Sequence, residues 1–138
     1  MGLLTLKGKN LIEQADVVVY DALVSASILS MIPSSAQTIF VGKRAGNHPV
    51  PQEQINQILL EQAMQGKRVV RLKGRRSIFV WTRRRGAGIL IENGIDYEVV
   101  PGVTSAIAVP AYNGIPVTHR DYCSSVHIIT AHSKKAAS

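Results

Sequence analysis

Apolar and polar positions follow one another along this chain in blocks of two kinds. DVVVY (16–20), QTIFV (37–41), RVVRL (68–72), YEVVP (97–101) and SVHIITA (125–131) are short β-branched runs. That is the pattern of strands buried in a parallel sheet. The stretches between them place apolar residues near helical spacing, over 3–14, 25–32, 51–67 and 104–114. Pro51 suits a first helical position and Gly66 a helix stop. A further helix is predicted over 87–93, ending at Asn93-Gly94, and Pro110 is placed to kink the helix of 104–114. Strand–helix alternation predicts an α/β fold, a parallel sheet covered by helices.

In such sheets, ligands bind beyond the carboxyl ends of the strands. That rule selects Asp21, which follows the first run, and Lys43 and Arg44, which follow the second. It also selects Lys73 and Gly74 after the third run, and Thr104 and Ser105 after the fourth. Each has an ordinary reading too. Asp21 suits a turn, Lys43-Arg44 a solvated loop, and Thr104-Ser105 a helix N-cap. Arg71 lies inside a strand run, where an arginine needs a partner for its charge. The four histidines (His48, His119, His127, His132) lack the spacing of a helical metal site, so no metal is expected. Cys123 reads as a small buried residue.

Composition changes this picture at one place. The 138 residues carry a net charge of +7. Five of the arginines (Arg75, Arg76, Arg83, Arg84, Arg85) and the single tryptophan, Trp81, fall in RRSIFVWTRRRGAG, residues 75–88. Setting those five charges aside takes the net from +7 to +2. Charge confined to one island is a poor footprint for nucleic acid, which favours a basic face or stripe. The island follows RVVRLKG, where the fold rule places a ligand-binding loop. One cysteine allows no internal disulfide. No apolar run approaches the roughly 20 residues of a membrane span, and no export leader is evident. A cytoplasmic setting is expected, without membrane or nucleic-acid partners.

Six words in order carry a resemblance: LLTLKG (3–8), ADVVVYDALVS (15–25), VGKRAGNHPVPQEQIN (41–56), GKRVVRLKG (66–74), YEVVPGVTSA (97–106) and GIPVTHRDY (114–122). Through them nearly the whole chain resembles the uroporphyrinogen-III C-methyltransferases of the tetrapyrrole methylase family. The resemblance implies an α/β parallel-sheet N-terminal domain of that fold over 1–138. Relative to the family, the first strand with its GxGPGDP loop and the second domain are expected to be lacking. It also implies a homodimer, with S-adenosylmethionine as co-substrate and uroporphyrinogen III as substrate. The family's KGGDPFxxGRGGEE stands where this chain has KGRRSIFVWTRRRGAG. One choice of codons for residues 75–88, read one nucleotide later, spells GDPFSSGRGGEELE. A compensated frameshift is therefore hypothesised. The gene decides it, because the idea fails if those codons do not read GDPF in the next frame.

The resemblance implies roles residue by residue. Asp21 is the proton acceptor and Lys43 the proton donor. Arg71 and Arg44 pair with substrate carboxylates. Gly74, Arg75, Arg76, Phe79, Thr104 and Ser105 are the cofactor-binding positions, and no metal is implied. The expected reaction is methylation of uroporphyrinogen III to precorrin-2, for sirohaem and cobalamin. At 75 and 76 the family's glycine and aspartate are arginines, which set like charge beside a sulfonium. Each hydrogen bond lost to a charged group is worth about 1.5–3 kcal/mol. Methyl transfer by this chain alone is therefore expected to be impaired or absent. The alternatives are an inactive remnant and a basic nucleic-acid-binding module.

Overall fold

The computed structural model describes residues 2–43, 50–74, 78–82, 89–90 and 94–129; for 78–82 and 89–90 the backbone alone is described. The chain divides into two compact units, Met1–Val103 and Thr104–Ser138.

The first unit holds a six-stranded sheet. Its strands are β1 (Val17–Tyr20), β2 (Gln37–Phe40), β3 (Val69–Leu72), β4 (Ile78–Thr82), β5 (Ile89–Leu90) and β6 (Ile95–Val100), in the order β2-β1-β3-β4-β6-β5. β1 pairs in parallel with β2 and β3, with Val17 opposite Gln37 on one side and Val69 on the other. This is the expected α/β core, built from the β-branched runs. β4 is antiparallel to both β3 and β6, so β6 runs in the same sense as β1–β3. β5 is antiparallel to β6.

Alternation along the strands sends side chains to two faces, each covered by helices. Val18, Val70, Leu72 and Val100 pack with Ile12 and Ala15 in one cluster. Ile12 belongs to α1 (Leu6–Glu13), and Ile28 of α2 (Ala26–Leu29) packs against the same cluster. On the opposite face, Val17, Val19, Val69 and Ile95 meet Ile55, Leu59 and Ala63 of α3 (Gln52–Met64). Apolar burial on both faces is the main stabilising term. The α1 start is set by Thr5, whose hydroxyl accepts from the Gly8 amide at 3.1 Å. Pro51 sits at the N-cap of α3, and Gly66 (φ 80°) follows its end.

Three segments depart from the sequence reading. Ile78–Thr82, inside the island expected to be a ligand-binding loop, is a strand. IFVWT is made entirely of residues that favour strands, and β3 and β6 offer it a ladder on both sides. Ile89–Leu90, expected in a helix, pairs with Asp96 and Ile95. The rest of 87–93 lies outside the described residues. Gly94 has φ 64°, a geometry that ends helices and turns hairpins alike. Of the strand expected over 125–131, residues 125–129 form none, and 130–131 lie outside the described residues. Among the described residues of the second unit there is no strand to pair with them, only an isolated bridge between His119 and Cys123.

The second unit contains α4 (Ser105–Tyr112), with Pro110 inside it. Gly114 (φ 69°) lies just beyond its end. Cys123, expected to be buried, is exposed, and its thiol donates to the Ser125 carbonyl at 2.9 Å. No described helix is long and apolar enough to cross a membrane.

Candidate functional site

Parallel pairing of Tyr20 with Phe40 and with Leu72 makes β1, β2 and β3 end at one level. The residues that follow them (Asp21, Val41 to Lys43, Lys73 and Gly74) therefore leave the sheet at the same carboxyl edge. β6 ends on that edge at Val100.

Asp21 is the centre of this edge. Its Oδ1 accepts from the Leu23 amide at 3.0 Å, closing a turn of the kind aspartate favours. The same oxygen accepts from the Gly74 amide at 3.3 Å, across from the end of β3. Its Oδ2 faces Nη2 of Arg71 at 3.6 Å. Among the described residues, Arg71 is the one charged residue in the buried set. Its Nη1 donates to the Val19 carbonyl at 3.3 Å and to the Leu72 carbonyl at 2.8 Å. Burial pushes its guanidinium below the usual arginine value, and the Asp21 carboxylate opposes that shift. The partner that the sequence required for a strand arginine is thus Asp21 together with two strand carbonyls.

Two glycines let the neighbouring loops close on residues 21–24. A Cβ on Gly74 would lie 2.3 Å from the carbonyl carbon and Cβ of Leu23, and one on Gly42 would lie 2.7 Å from the Ala22 nitrogen. Only glycine permits backbones to approach so closely. The loop after β1 is therefore held between the loops after β2 and β3.

Of the expected catalytic pair, Lys43 stands exposed just past β2, on the edge that Asp21 occupies. Arg44, Arg75 and Arg76 lie outside the described residues. Phe79 is placed by its backbone in β4, opposite Arg71 on one side and Val99 on the other. Thr104 and Ser105 belong to the second unit. There Thr104 caps α4, its hydroxyl accepting from the Ala106 amide at 3.3 Å. A capped helix start of this kind suits the carboxylate of an amino-acid-like ligand. The turn at Gly74 is a glycine-dependent close approach, made against Leu23.

Sequence reasoning missed that Arg71 and Asp21 contact one another. The available signal was a strand arginine close to its strand's end, beside a strand that runs straight into an aspartate.

Known proteins are similar to this chain in sequence and fold. The family profile described as Tetrapyrrole (Corrin/Porphyrin) Methylases matches residues 1–138. The porphyrin biosynthesis protein HemD of Ruminiclostridium josui is 54% identical over 134 residues, which is 97% of this chain and 27% of that protein. Siroheme synthase 2 of Serratia proteamaculans is 56% identical over 133 residues, 96% of this chain and 28% of that protein. This chain therefore spans little more than a quarter of those relatives. Among solved structures, the cobalt precorrin-4 methyltransferase CbiF superposes with a TM-score of 0.62 at 32% identity, over 86% of this chain and 48% of that one. A uroporphyrin-III C-methyltransferase of Thermus thermophilus, complexed with S-adenyl homocysteine, gives 0.56 at 36% identity over the same shares.

Proposed function

Because this chain belongs to the tetrapyrrole methylase family, we propose that its carboxyl edge is part of a site that methylates uroporphyrinogen III towards precorrin-2. The observation that supports this is the fixed Asp21 carboxylate, held by two amides and a buried guanidinium where an α/β sheet binds its ligands.

S-adenosylmethionine supplies an electrophilic methyl group on a sulfonium. As a pyrrole carbon attacks, the carbon–sulfur bond breaks and its electron pair stays on sulfur. The newly methylated macrocycle, whose methylated carbon is now quaternary, then has to lose a proton from elsewhere in its ring system. Asp21 is the group that accepts it, and Lys43, exposed on the same edge, donates a proton to the macrocycle. Arg44 meets the acidic rim of the substrate, since guanidinium pairs with carboxylate through two parallel bonds. The family resemblance assigns Gly74, Arg75, Arg76, Phe79, Thr104 and Ser105 to the cofactor. The main contribution of these residues is alignment, which is worth several orders of magnitude when geometry is fixed. A homodimer in the cytoplasm completes this reading.

Titration calorimetry with S-adenosylhomocysteine tests it. Saturable binding with a dissociation constant below about 1 mM is expected, weaker than that of the double variant Arg75→Gly, Arg76→Asp. No heat from either chain would leave an inactive remnant as the better reading. The arginine island motivates that second reading, because it replaces an acidic partner of the sulfonium with like charge.

A further inference from the structure

We propose that Arg71 is a positioning residue: its guanidinium holds the Asp21 carboxylate, and through it the Gly74 turn, in one orientation at the carboxyl edge. The catalytic consequence rests on the functional reading above; the contact itself rests on geometry alone.

A guanidinium has five N–H donors in a rigid planar fork. Two of the Arg71 contacts, to the carbonyls of Val19 and Leu72, come from the adjacent strands β1 and β3. They fix the plane of the fork against the sheet. The remaining Nη2 then faces Oδ2 of Asp21 at 3.6 Å. The arginine side chain is 9% exposed and the aspartate side chain 19%, so the pair is screened far less than one on the surface. The other oxygen of Asp21 is occupied by the amides of Leu23 and Gly74. A carboxylate with one oxygen on two amides and the other facing an immobilised cation has a single rotamer available.

The same geometry argues against direct service to a substrate. Pairing with a carboxylate on a macrocycle needs an open fork. That of Arg71 is buried and committed to two backbone carbonyls. Arg71 therefore acts through Asp21. Lysine has no fork, so its single ammonium cannot reproduce the three contacts in one plane.

The test uses the full chain and two readouts. In nuclear magnetic resonance spectra, Arg71→Lys is expected to move the amide signals of Leu23 and Gly74. In an Asp21→Asn background the same substitution should leave those two amides in place, because the carboxylate that links them to residue 71 is gone. Equal movement with and without the Asp21 carboxylate would overturn the proposal. In methyl-transfer assays, Arg71→Lys is expected to lower kcat by about tenfold or more, the cost of a misaligned catalytic group. KM for uroporphyrinogen III should stay within about twofold. A large rise in KM with kcat retained would make Arg71 a substrate ligand and overturn the proposal. If the unsubstituted chain transfers no methyl group, calorimetry decides the functional reading, and the spectra alone decide whether Arg71 holds Asp21. Arg71→Met, which keeps the length and removes the charge, gives the spectral comparison if the lysine variant does not fold.

Discussion

Replacing Asp21 by alanine is expected to lower the stability of this protein by about 3 kcal/mol, measured as a shift of the urea midpoint at constant slope. The cost comes from what is left behind. Arg71 remains buried with its charge unmatched, and the amides of Leu23 and Gly74 lose their acceptor. Breaking a buried pair by removing one partner typically costs about 3–5 kcal/mol, and the lower end applies because the Asp21 side chain keeps 19% of its exposure. A domain of this kind has only about 5–15 kcal/mol in hand, so the variant should be visibly fragile. Asp21→Asn keeps an oxygen for the two amides and should lose less. Combining Asp21→Ala with Arg71→Met removes the orphaned charge and should restore part of the loss. A loss under about 1 kcal/mol for Asp21→Ala would class the pair with ordinary surface ion pairs, and the description of this edge as a fixed constellation would not survive.

The parts of this edge that the sequence announces are those set by local chemistry. VVVY and VVRL are β-branched runs that fit only a sheet buried on both faces, and both are strands. Asp21 and Gly74 followed from the rule that polar residues past strand ends face ligands, and the structure puts them in contact. Arg71 advertised the need for a partner without naming it, because Asp21 lies 50 positions away in the chain and only the parallel register of β1 and β3 brings them together. The island misled for a related reason. Its arginines dominate the reading of 75–88, yet IFVWT within it has strong strand propensity. Whether such a run pairs depends on neighbours far along the chain, here β3 and β6. The opposite error occurred at 125–129, where Val126, Ile128 and Ile129 favour a strand, but no described strand of their unit offers a ladder. Strand propensity describes a surface that fits a sheet; the sheet has to be supplied by the rest of the fold.

Gly74→Ala is expected to be about as damaging as Asp21→Ala, for a steric reason that no hydrogen-bond count reveals. The added methyl would lie 2.3 Å from the carbonyl carbon and Cβ of Leu23 and 2.5 Å from its oxygen, inside the 3.0 Å that real Cβ contacts respect. Backbone atoms cannot swing aside as a side-chain tip can. Leu23 is held further by its own amide on Asp21, and Val24 donates to the Asp21 carbonyl at 3.3 Å. The strain must therefore be relieved by moving the turn at 74, which breaks the Gly74 bond to the carboxylate. Overpacking costs about 1–3 kcal/mol and a lost bond to a charged acceptor about 1.5–3 kcal/mol, so a total of about 3–5 kcal/mol is expected. Gly66→Ala is the internal control. Gly66 has φ 80° with nothing within 4 Å of its would-be Cβ, so only the left-handed backbone is penalised, at about 1–2 kcal/mol. If urea unfolding ranks the two alanine variants equally, the loop after β1 does not lie against the turn at 74, and the closed edge that fixes Asp21 would have to be abandoned. If Gly74→Ala is the worse by the expected margin, the glycine is required by Leu23, and the position stays closed to any larger residue whatever stands at 75 and 76.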